Sequence, residues 1–133
     1  MVTGGCQCGA IRYEAKGEPA YSALCHCSDC RKSAGAHMVG WALFAQADVT
    51  ISGEPKRYRS SENAERHFCG ACGTGLFYTS EVVFPGKIDI RTATFDDLAA
   101  FPPAIQIQLA DAAPWMGEVD TLPKFDRFPP QGS

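Results

Sequence analysis

The stretch Cys25-His26-Cys27-Ser28-Asp29-Cys30 places three thiols within six residues, so all three can reach one point in space. Packing alone does not require so many cysteines in one short loop. Zinc is tetrahedral, and catalytic zinc sites typically take three protein ligands and keep one open position. We therefore expect the chemistry of this chain at Cys25, Cys27 and Cys30, called the cysteine trio below.

The remaining four cysteines form two close pairs, Cys6 with Cys8 and Cys69 with Cys72. Two such pairs are a common ligand set for a closed, structural zinc site. One ion bound by all four would join the N-terminal strand to the middle of the chain. Closing so long a loop makes metal binding part of the folding free energy. This pairing is the most economical one, although spacing alone does not establish connectivity.

Composition indicates one globular domain without nucleic-acid or membrane partners. The chain has 133 residues, 45% of them hydrophobic, and we expect a single domain over residues 1–133. Its net charge of −3 provides no basic field for nucleic acid. No apolar run approaches the roughly 18 residues of a membrane helix, and no signal peptide is recognisable, so we predict a cytoplasmic location. Seven cysteines in tight groups then favour metal over disulfides.

Alternating apolar and polar residues, with many Gly and Pro, predict a mainly β chain with stacked small sheets. Strands are predicted at residues 10–15, 21–24, 38–44, 48–51, 56–60, 76–78, 82–84, 87–93 and 104–110. One helical turn is predicted over residues 28–34, and a short helix over 95–101 with Asp96 as its N-cap. We expect the Pro-rich segment 112–133 to be irregular.

Other ligands or clusters are alternatives to an open zinc site at the trio. His26 lies between two of the cysteines, where such a side chain usually points away from the metal. His67 lies two residues before Cys69 and could approach the site. His37 is expected to be a partly buried residue at a strand edge. An iron–sulfur cluster is a further option, but the cysteine spacings do not match those of ferredoxins.

Three motifs occur in order along the chain, followed by Pro114-Trp115: Gly5-Cys6-Gln7-Cys8-Gly9-Ala10-Ile11-Arg12-Tyr13, Cys25-His26-Cys27-Ser28-Asp29-Cys30-Arg31, and Phe68-Cys69-Gly70-Ala71-Cys72-Gly73-Thr74. Together they resemble the glutathione-dependent formaldehyde-activating enzyme family, which includes centromere protein V. The resemblance extends from residue 4 to about residue 125. It implies a β-tent-type fold of small antiparallel sheets with one or two short helices. It also implies a structural zinc on the paired cysteines and a second, labile zinc on the trio.

The activity implied by the resemblance is condensation of formaldehyde with glutathione to S-hydroxymethylglutathione, assigned as a carbon–sulfur lyase in the reverse sense. The trio would be catalytic, with the glutathione sulfur on the zinc or in a mixed disulfide. Several side chains are candidates for contacts with the substrates. Arg31, Lys32 and Arg12 could bind carboxylates, Trp41, Phe77 and Trp115 could line a pocket, and Asp29 could shuttle a proton or cap the short helix.

The rival hypothesis is a zinc-binding module without catalytic activity, which binds a protein partner or stores zinc and thiols. Centromere protein V acts in a chromosomal setting, where a basic extension would be expected. The acidic composition of this chain argues against that role.

Overall fold

Two β-sheets make up the fold in the computed structural model, which describes residues 1–131. The smaller sheet contains three antiparallel strands in the order β1 (Val2–Gly5), β2 (Arg12–Ala15) and β5 (Val49–Ser52). The larger sheet contains seven strands, in the order β10 (Ile105–Ile107), β3 (Ser22–Cys25), β4 (Val39–Ala45), β9 (Lys87–Arg91), β8 (Gly75–Thr79), β7 (Ala64–Phe68) and β6 (Lys56–Ser61).

The helices are short. One α-helix, α1 (Ser28–Ala34), follows β3, and 3-10 turns occur at Gln46–Asp48, Thr92–Thr94, Leu109–Asp111 and Met116–Thr121. None of the helices in residues 1–131 has the length and apolar composition needed to span a bilayer. The predicted mainly β fold class is confirmed. The seven-stranded sheet is mixed, however, because β10 pairs with β3 in parallel.

The buried apolar residues form two separate clusters. The larger cluster fills the space between the sheets around Tyr13, Phe44 and Phe77, and it contains Cys6 and Cys69. The smaller cluster contains Cys25 and Cys30, together with Val39 and Trp41. The two groups of cysteines therefore belong to different parts of the core.

The helix at the trio has the predicted bounds but a different cap. Cys27 is the N-cap, and its sulfur accepts a hydrogen bond from the Cys30 amide at 3.2 Å. Asp29 lies in the first turn, where a negative charge suits the positive end of the helix. The cysteine spacing therefore organises the helix as well as the trio, and the prediction of Asp29 as the cap is wrong.

Several other predicted elements differ from the structure. Residues 95–101 form turns, because the Asp96 carboxylate binds Thr3 and Arg12 instead of capping a helix. Residues 82–84 also form a turn, closed by a hydrogen bond from the Phe84 amide to the Ser80 carbonyl. The predicted strand over 104–110 is limited to β10, because Gln108 adopts a left-handed conformation with φ of 59°.

Two strands, β1 and β7, were not predicted, because β1 contains two glycines and β7 is mostly polar. The segment predicted as irregular includes the 3-10 turn at Met116–Thr121, and its residues 132–133 lie outside the described residues.

A pair of glycine substitutions tests the close packing at the end of the smaller sheet, where β2 pairs with β5. Gly53 and Gly86 both have positive φ, at 95° and 71°. A Cβ on Gly53 would lie 2.4 Å from the Ala10 carbonyl oxygen, whereas a Cβ on Gly86 meets nothing within 4 Å. Gly86→Ala should therefore cost about 1 kcal/mol of unfolding free energy, and Gly53→Ala about 2 kcal/mol more because backbone must move. Urea denaturation of both variants measures the difference. Equal losses would contradict this packing.

Candidate active site and metal centres

Four cysteine sulfurs converge where the turn after β1 meets the turn between β7 and β8. The sulfurs of Cys6, Cys8, Cys69 and Cys72 all lie within 4.8 Å of one another. Cys8 bridges the two pairs, with its sulfur 3.6 Å from that of Cys6 and 3.7 Å from that of Cys69. The two pairs, which are distant in sequence, therefore form one cluster, as their spacing predicted.

In each cysteine turn, the glycine after the second cysteine donates its amide to the carbonyl of the first cysteine. In the first, Gly9 donates its amide to the Cys6 carbonyl at 3.1 Å, and in the second, Gly73 donates to the Cys69 carbonyl at 2.8 Å. Backbone amides also point at the sulfurs, from Ile11 to Cys6 at 3.2 Å and from Ala71 to Cys69 at 3.4 Å. Amide donors stabilise negative charge on sulfur, so both turns are shaped to present thiolates.

The donor set of this cluster suits a metal ion. Hydrogen bonds from the Thr74 hydroxyl and amide lower the pKa of Cys72 to about 5. The neighbouring sulfurs oppose ionisation of Cys8, despite a hydrogen bond from the Ala10 amide, and its pKa is raised to about 11. Four adjacent sulfurs cannot all carry negative charge without a cation among them. Soft thiolates in this arrangement fit a tetrahedral ion such as zinc.

The cysteine trio is built by the end of β3 and the start of α1. The sulfurs of Cys25, Cys27 and Cys30 lie within 4.8 Å of one another. Cys25 and Cys30 are buried, and Cys27 is half-buried. Burial raises the pKa of Cys25 to about 12 and also raises the pKa of Cys27, so these two groups are thiols until a cation displaces their protons. Three sulfurs could hold a metal ion and leave one position open.

A cavity of about 250 Å³ opens directly over the trio. Besides the three cysteines, its lining includes aromatic side chains and a few charged ones, among them Tyr21, Trp41, Tyr78, Phe84, Arg66 and Asp89. Pockets for drug-sized ligands are larger, at roughly 300–1,000 Å³. The cavity therefore suits a group of a few atoms beside the sulfurs, and not a whole peptide.

Arg66 on β7 is a site residue that sequence reasoning missed. Its side chain is only 6% exposed, and Nη2 donates to the Asp29 carboxylate at 2.6 Å and lies 3.7 Å from the Cys30 sulfur. Its guanidinium also lies over the Tyr78 ring, 5.1 Å from the centroid. Burial opposes the charge, but hydrogen bonds to Asp29 and Cys30 raise the pKa of Arg66 above its usual value. A fixed positive charge therefore lies beside the trio.

Asp89 on β9 is a second missed residue. It is 4% exposed and accepts a hydrogen bond from the Tyr21 hydroxyl at 2.7 Å. Burial raises its pKa to about 6, although the Tyr21 hydroxyl opposes the shift. The sequence signal available for Asp89 was its position between two isoleucines, Ile88 and Ile90. In the structure all three residues are buried. The Asp89–Tyr21 pair forms an ionisable wall of the trio cavity.

The structure places the three predicted basic residues apart. Arg12 pairs with Asp96 through both terminal nitrogens and is committed to the smaller sheet. Arg31 donates Nε to the His26 carbonyl at 3.3 Å and lines neither the trio cavity nor the larger cavity beside it. Lys32 is exposed and lines this second cavity, which has a volume of about 690 Å³ and shares Asp29 and Arg66 with the trio cavity.

The predicted aromatic residues also separate. Trp41 lines the trio cavity, whereas Phe77 is buried in the larger core cluster. Trp115 is 43% exposed and packs edge-on against His37, with ring centroids 4.6 Å apart. His37 is exposed ahead of β4, so the prediction that it is partly buried is wrong.

No histidine nitrogen joins either sulfur cluster within residues 1–131. His26 is fully buried, and its Nε2 pairs with the Gln106 side chain at 2.9 Å. His67 pairs with the Thr79 hydroxyl at 2.9 Å. The alternative of a closed site completed by histidine therefore finds no support in this part of the chain.

Known proteins are similar to this chain in sequence. The family described as "Glutathione-dependent formaldehyde-activating enzyme" matches residues 1–111. A Halomonas elongata protein named "Putative glutathione-dependent formaldehyde-activating enzyme" is 27% identical over 129 residues, which are 87% of this chain and 80% of that protein. A Schizosaccharomyces pombe protein described as an uncharacterized lyase is 33% identical over 75 residues, 56% of this chain and 55% of its own length.

A solved structure shows the same fold. The crystal structure of a Rhodobacter sphaeroides protein superposes with a TM-score of 0.61 at 21% identity, covering 78% of this chain and 98% of the other. At that identity the likeness concerns the fold alone.

The buried carboxyl group gives a pH-dependent prediction. The pKa of Asp89 rises from 3.8 to about 6 on folding, so the folded state holds its proton more tightly. The stability that this proton confers is present below about pH 4 and is lost as pH rises toward 6, by up to about 3 kcal/mol. Asp89→Asn should therefore become more stable than the parent as pH rises from 4 to 6. Chemical denaturation across this range measures the difference, so effects common to both proteins cancel. Asp126→Asn, at an exposed site, is the control, and its unfolding free energy should follow that of the parent across this pH range. The same parallel course for Asp89→Asn would contradict the burial of Asp89 as an acid.

Proposed function

The chain belongs to the glutathione-dependent formaldehyde-activating enzyme family, and on that premise we propose that it joins a small glutathione-like thiol to a small aldehyde. The product would be an S-hydroxymethyl-type adduct, and the reverse reaction is a carbon–sulfur lyase cleavage. The observation that carries the proposal is the cysteine trio at one wall of a cavity of about 250 Å³, beside a fixed cation and a buried acid. Free cysteines throughout residues 1–131 suit a reducing compartment, which we take to be the cytoplasm.

The two sulfur clusters are assigned different roles. We assign Cys6, Cys8, Cys69 and Cys72 to a structural zinc, because two of these residues are part of the main core. Cys25, Cys27 and Cys30 would hold a second zinc that, when bound, accepts a substrate thiolate at its open position and keeps it nucleophilic at neutral pH. The trio belongs to the smaller core cluster, so the state of this site is less tightly tied to the fold.

The reaction needs a place for the negative charge on sulfur. Arg66 lies against Cys30, and its contact with Asp29 holds the guanidinium in place. A buried cation with fixed geometry stabilises thiolate charge without reorganisation during the reaction. We therefore assign the charge compensation at the trio to Arg66.

The reaction also needs a proton. The substrate sulfur adds to the carbonyl carbon, a C–S bond forms, and the carbonyl electron pair moves to oxygen, which then takes a proton. The hydrogen-bonded Tyr21 and Asp89 hold an exchangeable proton at the cavity wall. A carboxyl group with a pKa of about 6 suits proton transfer near neutral pH. We assign this pair as the proton donor, and in the reverse direction it accepts the proton from the hydroxyl group of the adduct as the C–S bond breaks.

Metal analysis tests the two roles. The protein should bind about two zinc ions per chain. Cys27→Ser should retain about one and keep its fold, whereas Cys69→Ser should lose stability together with its metal. Elemental analysis and circular dichroism of the two variants measure this. Collapse of the fold in Cys27→Ser would make the trio structural and would exclude the proposed catalytic role.

A rate measurement tests the reaction itself. Exchange NMR of glutathione with formaldehyde should show adduct formation faster with the protein than without it. Cys27→Ser should return the rate to the spontaneous one, and Ser28→Ala, at the exposed neighbouring position, should keep it. Full zinc binding by the parent protein without acceleration would refute the enzyme and favour the non-catalytic zinc module.

A further inference from the structure

Cys27 lies in the link between β3 and α1, and both of its neighbours in sequence are bound by one distant segment of the chain. This segment, residues 106–111, contains the end of β10 and the 3-10 turn Leu109–Asp111, and we call it the strap. Ile107 of the strap pairs in parallel with Cys25. The strap therefore begins beside the first cysteine of the trio.

His26, which precedes Cys27, is attached to the strap through both its backbone and its side chain. Its amide donates to the Ile107 carbonyl at 3.1 Å. Its ring nitrogen Nε2 lies 2.9 Å from the side-chain oxygen of Gln106, 80 positions away in sequence, and donates to it because an amide oxygen can only accept. The histidine is fully buried, so close packing keeps the ring in this contact. The position of His26 therefore depends on the strap.

Ser28, which follows Cys27, is attached to the other end of the strap. Its amide donates to Oδ2 of Asp111 at 3.2 Å, across 83 positions. Ser28 begins α1, and the first amides of a helix have no acceptor within the helix. The Cys27 sulfur accepts the Cys30 amide, and the Asp111 carboxylate accepts the amide of Ser28. The strap thus holds the chain on both sides of Cys27.

Cys27 is the member of the trio that these contacts affect most. Cys25 lies within β3, which has β4 on one side and β10 on the other, and Cys30 lies within α1. Cys27 belongs to neither element and is only half-buried. Local hydrogen bonds bring its sulfur toward the other two, but the range over which the link can move depends on the residues that flank it. The strap restrains that movement.

We propose that the strap restrains the link that carries Cys27, and that Gln106 and Asp111 thereby set how firmly the trio retains a metal ion. This inference rests on the assignment of an ion to the trio in the proposed function, and it deepens that assignment by naming what controls exchange of the ion. Neither side chain makes a hydrogen bond to a sulfur in the described part of the chain, so both act through the neighbours of Cys27. Groups that support metal ligands from behind commonly change metal affinity by roughly 10–100-fold.

Competition with a chromophoric chelator tests the inference by measuring the zinc affinity of each cluster in the zinc-loaded protein. Gln106→Met keeps the length of the side chain and removes its oxygen, so the zinc affinity of the trio should fall about tenfold. Asp111→Ala removes a single, exposed contact, so the loss there should be about threefold. Gln106→Glu retains an acceptor oxygen and should keep the parental affinity. In all three variants the other cluster should bind zinc as it does in the parent.

Asp97→Ala is the matched control for Asp111→Ala. Asp97 is also exposed, and its Oδ1 accepts a backbone amide, from Ala99 at 2.9 Å, but it lies outside the strap and does not line the trio cavity. It should leave both zinc affinities unchanged. Equal effects of Asp111→Ala and Asp97→Ala would overturn the inference. Equal losses at both clusters in Gln106→Met would also overturn it, since they would indicate general destabilisation. Because Asp111 is exposed, its variant keeps the test valid if Gln106→Met fails to fold.

The Cys30 amide provides a second measurement, which requires no ion. It donates to the Cys27 sulfur at 3.2 Å and not to the strap, so its protection reports how persistently that sulfur stays in place. Hydrogen-exchange NMR should show faster exchange at this amide in Gln106→Met and Asp111→Ala than in the parent or in Asp97→Ala. Unchanged exchange would overturn the inference, whether or not the trio holds zinc.

The same variants separate this inference from the proposed function. If they retain zinc at the trio less firmly, and the parent does not accelerate the reaction of glutathione with formaldehyde, the reaction is refuted and the role of the strap stands. If the parent accelerates the reaction and the trio has the same zinc affinity in every variant, the role of the strap is refuted and the reaction stands. If the parent binds zinc only at the other cluster, the metal assignment at the trio is refuted, and exchange at the Cys30 amide decides whether the strap restrains Cys27.

Discussion

The convergence of four sulfurs from opposite parts of the chain is the constraint on which the rest of the structure depends. Cys8 and Cys69 are 61 positions apart, yet their sulfurs are 3.7 Å apart. This contact fixes the turn after β1 against the turn that leads into β8, and so the small sheet against the large one. Ordering a loop of that length has an entropic cost that weak surface contacts would not offset. A metal ion bound by the four sulfurs would meet that cost directly.

The sulfurs of the trio, in contrast, are positioned by contacts that are local in sequence. Cys25 ends a strand, Cys27 caps the following helix and Cys30 lies in its first turn, so local hydrogen bonds already place the three sulfurs. Their core cluster is separate from the one that joins the sheets. A site assembled locally can gain and lose a ligand while the long-range contacts persist. That division suits an open coordination position better than a closed one.

Sequence spacing was informative where the relevant contacts are local or carried by cysteine. It predicted the pairing of the distant cysteines, the bounds of α1 and the buried strand around Trp41. It did not predict Arg66 or Asp89, because their importance comes from partners on other strands. Arg66 matters through its contact with Asp29 across 37 positions, and Asp89 through Tyr21 across 68. Residues 95–101 failed as a helix for a similar reason, because a distant arginine holds Asp96.

The choice of arginine at position 66 follows from what surrounds it. A lysine there could also contact both Asp29 and Cys30 with its one nitrogen, but it would have no planar face and no donor on any other atom. The planar guanidinium does both with Nη2 and still directs other donors elsewhere. Its face packs on Tyr78, which offsets part of the cost of burying a charge. Since Arg66 also lines both cavities, a change in its position would alter the environment of sulfur and of any group bound in either cavity together. The surroundings of the Cys30 sulfur and the walls of both cavities therefore depend on the same buried side chain.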